Sequence, residues 1–255
     1  MAATLLLLCL LPGCSKHAEP RWLVRALPGR YPEVVYFVPT KQQAIALTID
    51  DGVDPATTPK ILDVLKAHRV TATFFIVTNS LPGQQSLVQR LLREGHELGH
   101  HMTEDRVTVK LDDQELTRRF NYAADRLEGL AHINWFRPGS GRYDKRMLKL
   151  VRERGYRIAM ASVAPLDTMV ANPRRVSNYI NWMVEPGSII VLHDVGARGQ
   201  RTASTLESLL PRLLARNYKV MSLSQLDQLR QSSTIRPLGS ESGGKSDTPS
   251  LQQTN

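Results

Sequence analysis

Residues 44–52 read Ala44-Ile45-Ala46-Leu47-Thr48-Ile49-Asp50-Asp51-Gly52, a run of apolar and β-favouring side chains that ends in two adjacent carboxylates and a glycine. Neighbours in a strand point to opposite faces, so Asp50 and Asp51 cannot both serve one site from a regular strand. Placed in the loop just past the strand's carboxyl end, they can. One acid then binds a metal while the other moves a proton, and Gly52 permits a sharp turn. The same residues also fit an ordinary polar Asp-Asp-Gly turn. The rest of the chain decides between the two.

Downstream of Ala44–Ile49 the pattern alternates. Thr57, Thr58 and Pro59 open a helix carrying Ile61, Leu62 and Leu65, with a threonine cap and proline in the first turn. Val70–Val77 is nearly all apolar or β-branched and reads as a strand buried on both faces. A helix over Ser86–Glu94 stops at Gly95, and Glu97–His100 is a short strand. Asp112 with Glu115 three residues on signals a helix start, and Leu116–Leu130 is the longest helix. Ile133–Phe136 is a strand. Asp144 caps a helix closed by Gly155, and Tyr156–Val163 is a strand. Helix Pro173–Val184, strand Ser188–Leu192, helix Thr202–Arg216, strand Tyr218–Met221 and a short helix at Gln225–Leu229 complete the series.

Short connections between about seven βα units predict an α/β fold, with parallel strands and helices outside, as a barrel or a doubly wound sheet. Either way, the working face lies at the strand carboxyl ends. Charged and titratable residues collect there. Asp50 and Asp51 follow the first strand, His100, His101 and Asp105 the third, and Arg137-Pro138-Gly139-Ser140-Gly141 the fourth. Asp167 follows the fifth strand, and His193 with Asp194 the sixth. This sorting favours an enzyme over a decorative turn.

The chain has 255 residues and a net charge of +9. That charge suits an anionic surface or cell-wall polymer; with no basic helix carrying interleaved aromatics, nucleic acid is the weakest candidate and no nucleic-acid partner is expected. The only cysteines are Cys9 and Cys14, which leaves the body without disulfides or thiolate metal sites. Residues 1–18 read as a targeting segment. Ala2–Leu11 has the length of a signal core, and Leu11-Pro12-Gly13-Cys14 resembles a bacterial lipoprotein processing site. The expected location is therefore exported, periplasmic or cell envelope, with membrane attachment through a lipid on Cys14. Residues 19–40 read as an irregular lead-in, 41–230 as the catalytic domain and 231–255 as a disordered tail.

The motifs together resemble those of the polysaccharide deacetylases of the carbohydrate esterase class. Thr48–Gly52 resembles the first motif, continued by DDGVDPATTPKILDVLKAHRVTATFFIV; GHELGHH resembles the second, RPGSG the third, Asp167 part of the fourth and VLH the fifth. The resemblance covers about Lys41–Leu229 and implies a distorted (β/α) barrel of about seven parallel strands with outer helices. It also implies a bound divalent metal, most readily Zn2+ with Co2+ or Mn2+ as alternatives, and hydrolysis of N-acetyl groups on amino-sugar glycans of chitooligosaccharide or peptidoglycan type. Carried over, Asp50 would be the general base, oriented by Arg137. Asp51, His101 and Asp105 would hold the metal. Ser140 would offer its backbone N–H to the oxyanion, and Leu192 would line the acetyl pocket. His193, paired with Asp167, would be the general acid. No protein partner is implied.

The chain departs from the family pattern where Asp105 replaces the usual second histidine, and at Ser140, Ala164 and Thr168, where an aromatic, an Asp and a Trp are usual. Two alternatives stay open: a hydrolase of another non-peptide C–N bond, and a non-catalytic carbohydrate-binding relative. The acid and base residues argue against the second.

Overall fold

Alternation along Ala44–Asp50 builds the centre of the molecule. Ile45, Leu47 and Ile49 pack outward with the helices, while Ala44, Ala46, Thr48 and Asp50 turn to the other face. A computed structural model describes residues 31–230. Residues 1–18, read above as a targeting segment with Cys14, residues 19–30 of the lead-in and residues 231–255, read as a tail, lie outside the described residues.

The elements in order are β1 (Val34–Val35), β2 (Ala44–Asp50), α1 (Thr58–Ala67), β3 (Thr73–Ile76), α2 (Gln85–Arg93), β4 (Glu97–His100), α3 (Asp113–Glu128), β5 (Trp135–Phe136), α4 (Lys145–Glu153), β6 (Arg157–Ala159), α5 (Pro173–Met183), β7 (Ile189–His193), α6 (Gly196–Ala215), β8 (Lys219–Met221) and α7 (Leu223–Asp227). All strand pairs are parallel, in the order β1-β6-β5-β4-β3-β2-β7, with β8 also on β2. Isolated bridges Phe37–Ser188 and Val163–Ile190 join the two ends of the curled sheet. The result is a distorted βα barrel, closed by single contacts instead of a full ladder.

Capping follows the sequence at two helices and departs from it at a third. Asp112 accepts from Glu115 N at 2.8 Å, and Asp144 accepts from the amides of Arg146 and Met147. Thr57 occupies the cap position of α1 but makes no side-chain cap; its hydroxyl is used elsewhere. Helix α6 starts at Gly196, six residues before the predicted Thr202. Its first turn, Gly-Ala-Arg-Gly, carries no apolar periodicity to announce it. The lead-in is also not wholly irregular, since Val34 and Val35 pair with Ile158 and Ala159.

The barrel interior is divided. Its lower part is filled by Ala44, Ala46, Phe75, Trp135, Ala159 and Ile189 and plugged by Leu223 and Leu226 of α7. Its upper part, toward the strand carboxyl ends, holds Thr48, Asp50 and Arg137, all buried. Among the described residues, no helix is long and apolar enough to cross a membrane.

Candidate active site

Asp50 is the last residue of β2, within the strand and not beyond it as expected. Asp51 takes φ 76°, and this single left-handed residue turns its carboxylate back toward the face that Asp50 already occupies. Its amide donates to Phe75 O at 3.1 Å. His101, just past β4, donates its amide to Ile76 O at 3.1 Å. The end of β3 therefore tethers Asp51 on one side and His101 on the other.

Asp50 is held by Arg137, which follows β5. Arg137 Nη1 donates to Asp50 Oδ1 at 2.6 Å and to Thr48 Oγ1 at 2.7 Å. Its Nε donates to Ala159 O at 3.0 Å, and the guanidinium lies 4.1 Å over the Phe75 ring. Cutting a buried pair at one end strands the other charge, at about 3–5 kcal/mol. The pairing leaves Asp50 Oδ2 facing the site, 3.9 Å from His101 Nε2.

The His101 Nδ1–H donates to Arg137 O at 2.7 Å, so Nε2 is the nitrogen turned inward, 3.6 Å from Asp51 Oδ1. Ligand atoms of Asp51, His101 and Asp105 lie within 4.8 Å of one another. Two ligands each about 2.0–2.2 Å from a tetrahedral ion sit about 3.4 Å apart, so the Asp51–His101 spacing fits a divalent ion. Asp51 Oδ2 is buried and, among the described residues, receives no hydrogen bond, although Arg198 Nη1 stands 3.2 Å away as an ion pair. An acceptor left open beside an imidazole oriented by a carbonyl is the chemistry of a cation site. Burial pushes the Asp51 carboxyl up, but His101, His193 and Arg198 outweigh it and hold it below the ordinary value.

Asp105 reaches this group from an exposed loop, not from a helical face. Residues 101–107 form no helix, and Met102 has φ 65°. Gly139 of the RPGSG segment lets that loop pass, since a Cβ there would collide with the Arg106 carbonyl oxygen. His100 cannot substitute for a ligand. It is fully buried between Phe120 and Phe136, its Nε2 donating to Phe120 O at 3.0 Å and its Nδ1 accepting from Met102 N. Burial pushes its pKa down to about 4. Glu104 is taken by Arg119 and Arg106.

His193 ends β7 in register with Asp50. Its Nδ1 donates to Asp167 at 2.9 Å, and its amide donates to Asp167 Oδ2 at 3.1 Å. Burial lowers the imidazole pKa, but the Asp167, Asp50 and Asp51 carboxylates reverse this and raise it above the ordinary value. Ser140 stands exposed at the rim with φ 61°.

Leu192 is a correction. It pairs with Ile49, is fully buried, and packs with the outer core, so it faces the helices and not the site. Val191, two residues before His193, is on the His193 face. The apolar run Ile189–Leu192 fills both faces and gives no signal to separate them. The roles of Thr48, Asp194 and Arg198 were also not expected from sequence. Alternation from Asp50 points to Thr48, but nothing local marks Arg198.

A parallel βα barrel that gathers a cation-type donor set, an arginine-held carboxylate and a carboxylate-held histidine at its strand ends is built as a hydrolase. The chain belongs to the polysaccharide deacetylase family, hydrolases of carbon–nitrogen bonds. The family's model, polysaccharide deacetylase, matches residues 37–159. A peptidoglycan-N-acetylglucosamine deacetylase of Bacillus cereus is 31% identical over 202 residues, 76% of this chain and 92% of the relative. The peptidoglycan-N-acetylmuramic acid deacetylase PdaA of Bacillus subtilis is 31% identical over 200 residues, 76% of this chain and 75% of the relative. The solved Bc1960 peptidoglycan N-acetylglucosamine deacetylase, in complex with 4-naphthalen-1-yl-N-oxidanyl-benzamide, superposes with TM-score 0.73 at 27% identity, covering 83% of this chain and 98% of that one.

Proposed function

We propose that the protein is a metal-dependent N-deacetylase of amino-sugar glycans, of peptidoglycan or chitooligosaccharide type, acting outside the cytoplasm in the periplasm or cell envelope. The observation that carries this is a division of labour among three buried carboxylates. Asp50 is held by a guanidinium, Asp167 by an imidazole, and Asp51 keeps an oxygen that, among the described residues, receives no hydrogen bond and faces only the Arg198 ion pair. Asp51, His101 and Asp105 would hold a divalent ion, zinc by the imidazole-and-carboxylate set. Such an ion supplies Lewis acidity, which acidifies water and polarises an amide carbonyl.

Asp50 Oδ2 takes a proton from the attacking water while Arg137 fixes the other oxygen. The Ser140 backbone N–H stabilises the developing oxyanion. His193 Nε2 gives a proton to the departing amine, and acetate leaves. The exposed apolar residues Leu166, Met169 and Val195 flank Asp167 and His193 and offer a surface to the sugar where family aromatics are missing.

Zinc-loaded protein is expected to release acetate from N-acetylglucosamine oligomers or peptidoglycan fragments. Hydrolysis confined to small amides would favour another C–N substrate, and binding without hydrolysis a non-catalytic role. Asp167→Asn gives a second check. The carboxylate that raises the His193 pKa is removed, so the acid loses its proton at lower pH. The alkaline limb of the kcat profile is expected to move down in pH; an unmoved limb contradicts His193 as the acid.

A further inference from the structure

β7 runs directly into Asp194, whose side chain leaves the site and is fully buried behind it. Asp194 Oδ1 accepts from Thr57 Oγ1 at 2.6 Å, and Oδ2 accepts from Thr58 Oγ1. Thr58 Oγ1 in turn accepts from Asp54 N at 2.8 Å. The Asp194 amide donates to Asp50 O at 2.8 Å. A Cβ added to Gly52 would lie 2.8 Å from Asp194 Oδ2. One added to Gly199 would meet Thr57 Oγ1 at 2.5 Å and Asp194 Oδ1 at 2.8 Å.

Asp194 therefore meets the turn on both sides: its amide holds Asp50 O before it, its carboxyl lies against Gly52, and through Thr58 the carboxyl reaches Asp54 N after it. A buried carboxyl with no ion-pair partner among the described residues is costly. Helix α1 also forgoes its threonine cap to serve it. Packing alone asks for neither.

We propose that Asp194 is a positioning residue. Through Thr57 and Thr58 it fixes the Asp50–Asp51–Gly52 turn and so sets how tightly the Asp51, His101 and Asp105 group binds a divalent ion. This rests on reading that group as the metal site.

The test is zinc affinity of the whole protein, by competition with a chromophoric chelator, alongside far-UV circular dichroism and thermal unfolding. Asp194→Asn and Thr58→Val are each expected to weaken zinc binding at least ~10-fold with an unchanged spectrum, as loss of outer-shell support does. Thr58→Ser keeps the hydroxyl and is expected to stay within about threefold of the parent. If Asp194→Asn does not fold, the Thr58 pair decides, because it leaves the carboxylate in place. Folded variants that bind zinc as the parent does, whatever their melting temperature, overturn the proposal. So does equal loss in Thr58→Val and Thr58→Ser. A parent that binds no zinc overturns the metal reading itself, and this inference with it.

Discussion

Asp50→Asn is expected to lower kcat by roughly 10²–10⁴-fold, the usual contribution of a positioned base, while the protein still binds zinc. The change keeps the shape of the side chain and an acceptor for Arg137 Nη1 but removes the carboxylate proposed to take the proton. Asp50 is not one of the three residues whose ligand atoms converge, so the ion should remain. Arg137 loses its ionic partner in a buried setting, and the thermal midpoint should fall as well. Acetate-release kinetics with zinc analysis on the same sample separates the two roles. An Asn variant that keeps its turnover, or one that loses the metal, contradicts the split between Asp50 and Asp51.

For His101→Ala the expected result is loss of both ion and turnover. The imidazole is the only nitrogen donor in the convergent group, and its orientation is fixed by the Arg137 carbonyl. Losing a direct ligand should cost more than the ~10–100-fold typical of outer-shell changes. Asp105→Ala should cost less, because that residue approaches from an exposed loop while Asp51 and His101 are buried. Equilibrium dialysis against zinc gives both numbers. If His101→Ala binds zinc as tightly as the parent, the ion sits elsewhere.

Much of this architecture was legible from local chemistry. Glu97–His100 matches strand β4, its start marked by Gly95, which takes φ 82° just after α2. Asp112 and Asp144 mark their helices because each side chain accepts from first-turn backbone N–H groups just ahead of an apolar stripe that starts at Leu116 or Met147. Val70–Val77 shrinks to Thr73–Ile76 because Val70 belongs to the α1–β3 connection, where Arg69 takes φ 54° and the Val70 amide turns back to donate to Leu65 O. The titratable residues that the structure brings together could be read because they recur at or just past the carboxyl ends of strands. What could not be read were features set by the tertiary fold: the face of Leu192 inside an all-apolar run, the use of Thr57 and Thr58 by a residue far away in sequence, and the approach of Arg198 from the start of α6.

The tether at the end of β3 has one more consequence. Asp51 and His101 hang from consecutive carbonyls of the strand between them, so their separation is inherited from the inter-strand repeat of the sheet, about 4.7–4.9 Å per strand. It is a ruler made of backbone, indifferent to the side chains around it. Asp105 hangs from no such ruler. On the proposed metal reading, the site is two gauged donors plus one interchangeable part, and a transplanted loop is expected to retune its metal preference without disturbing the barrel that spaces the other two.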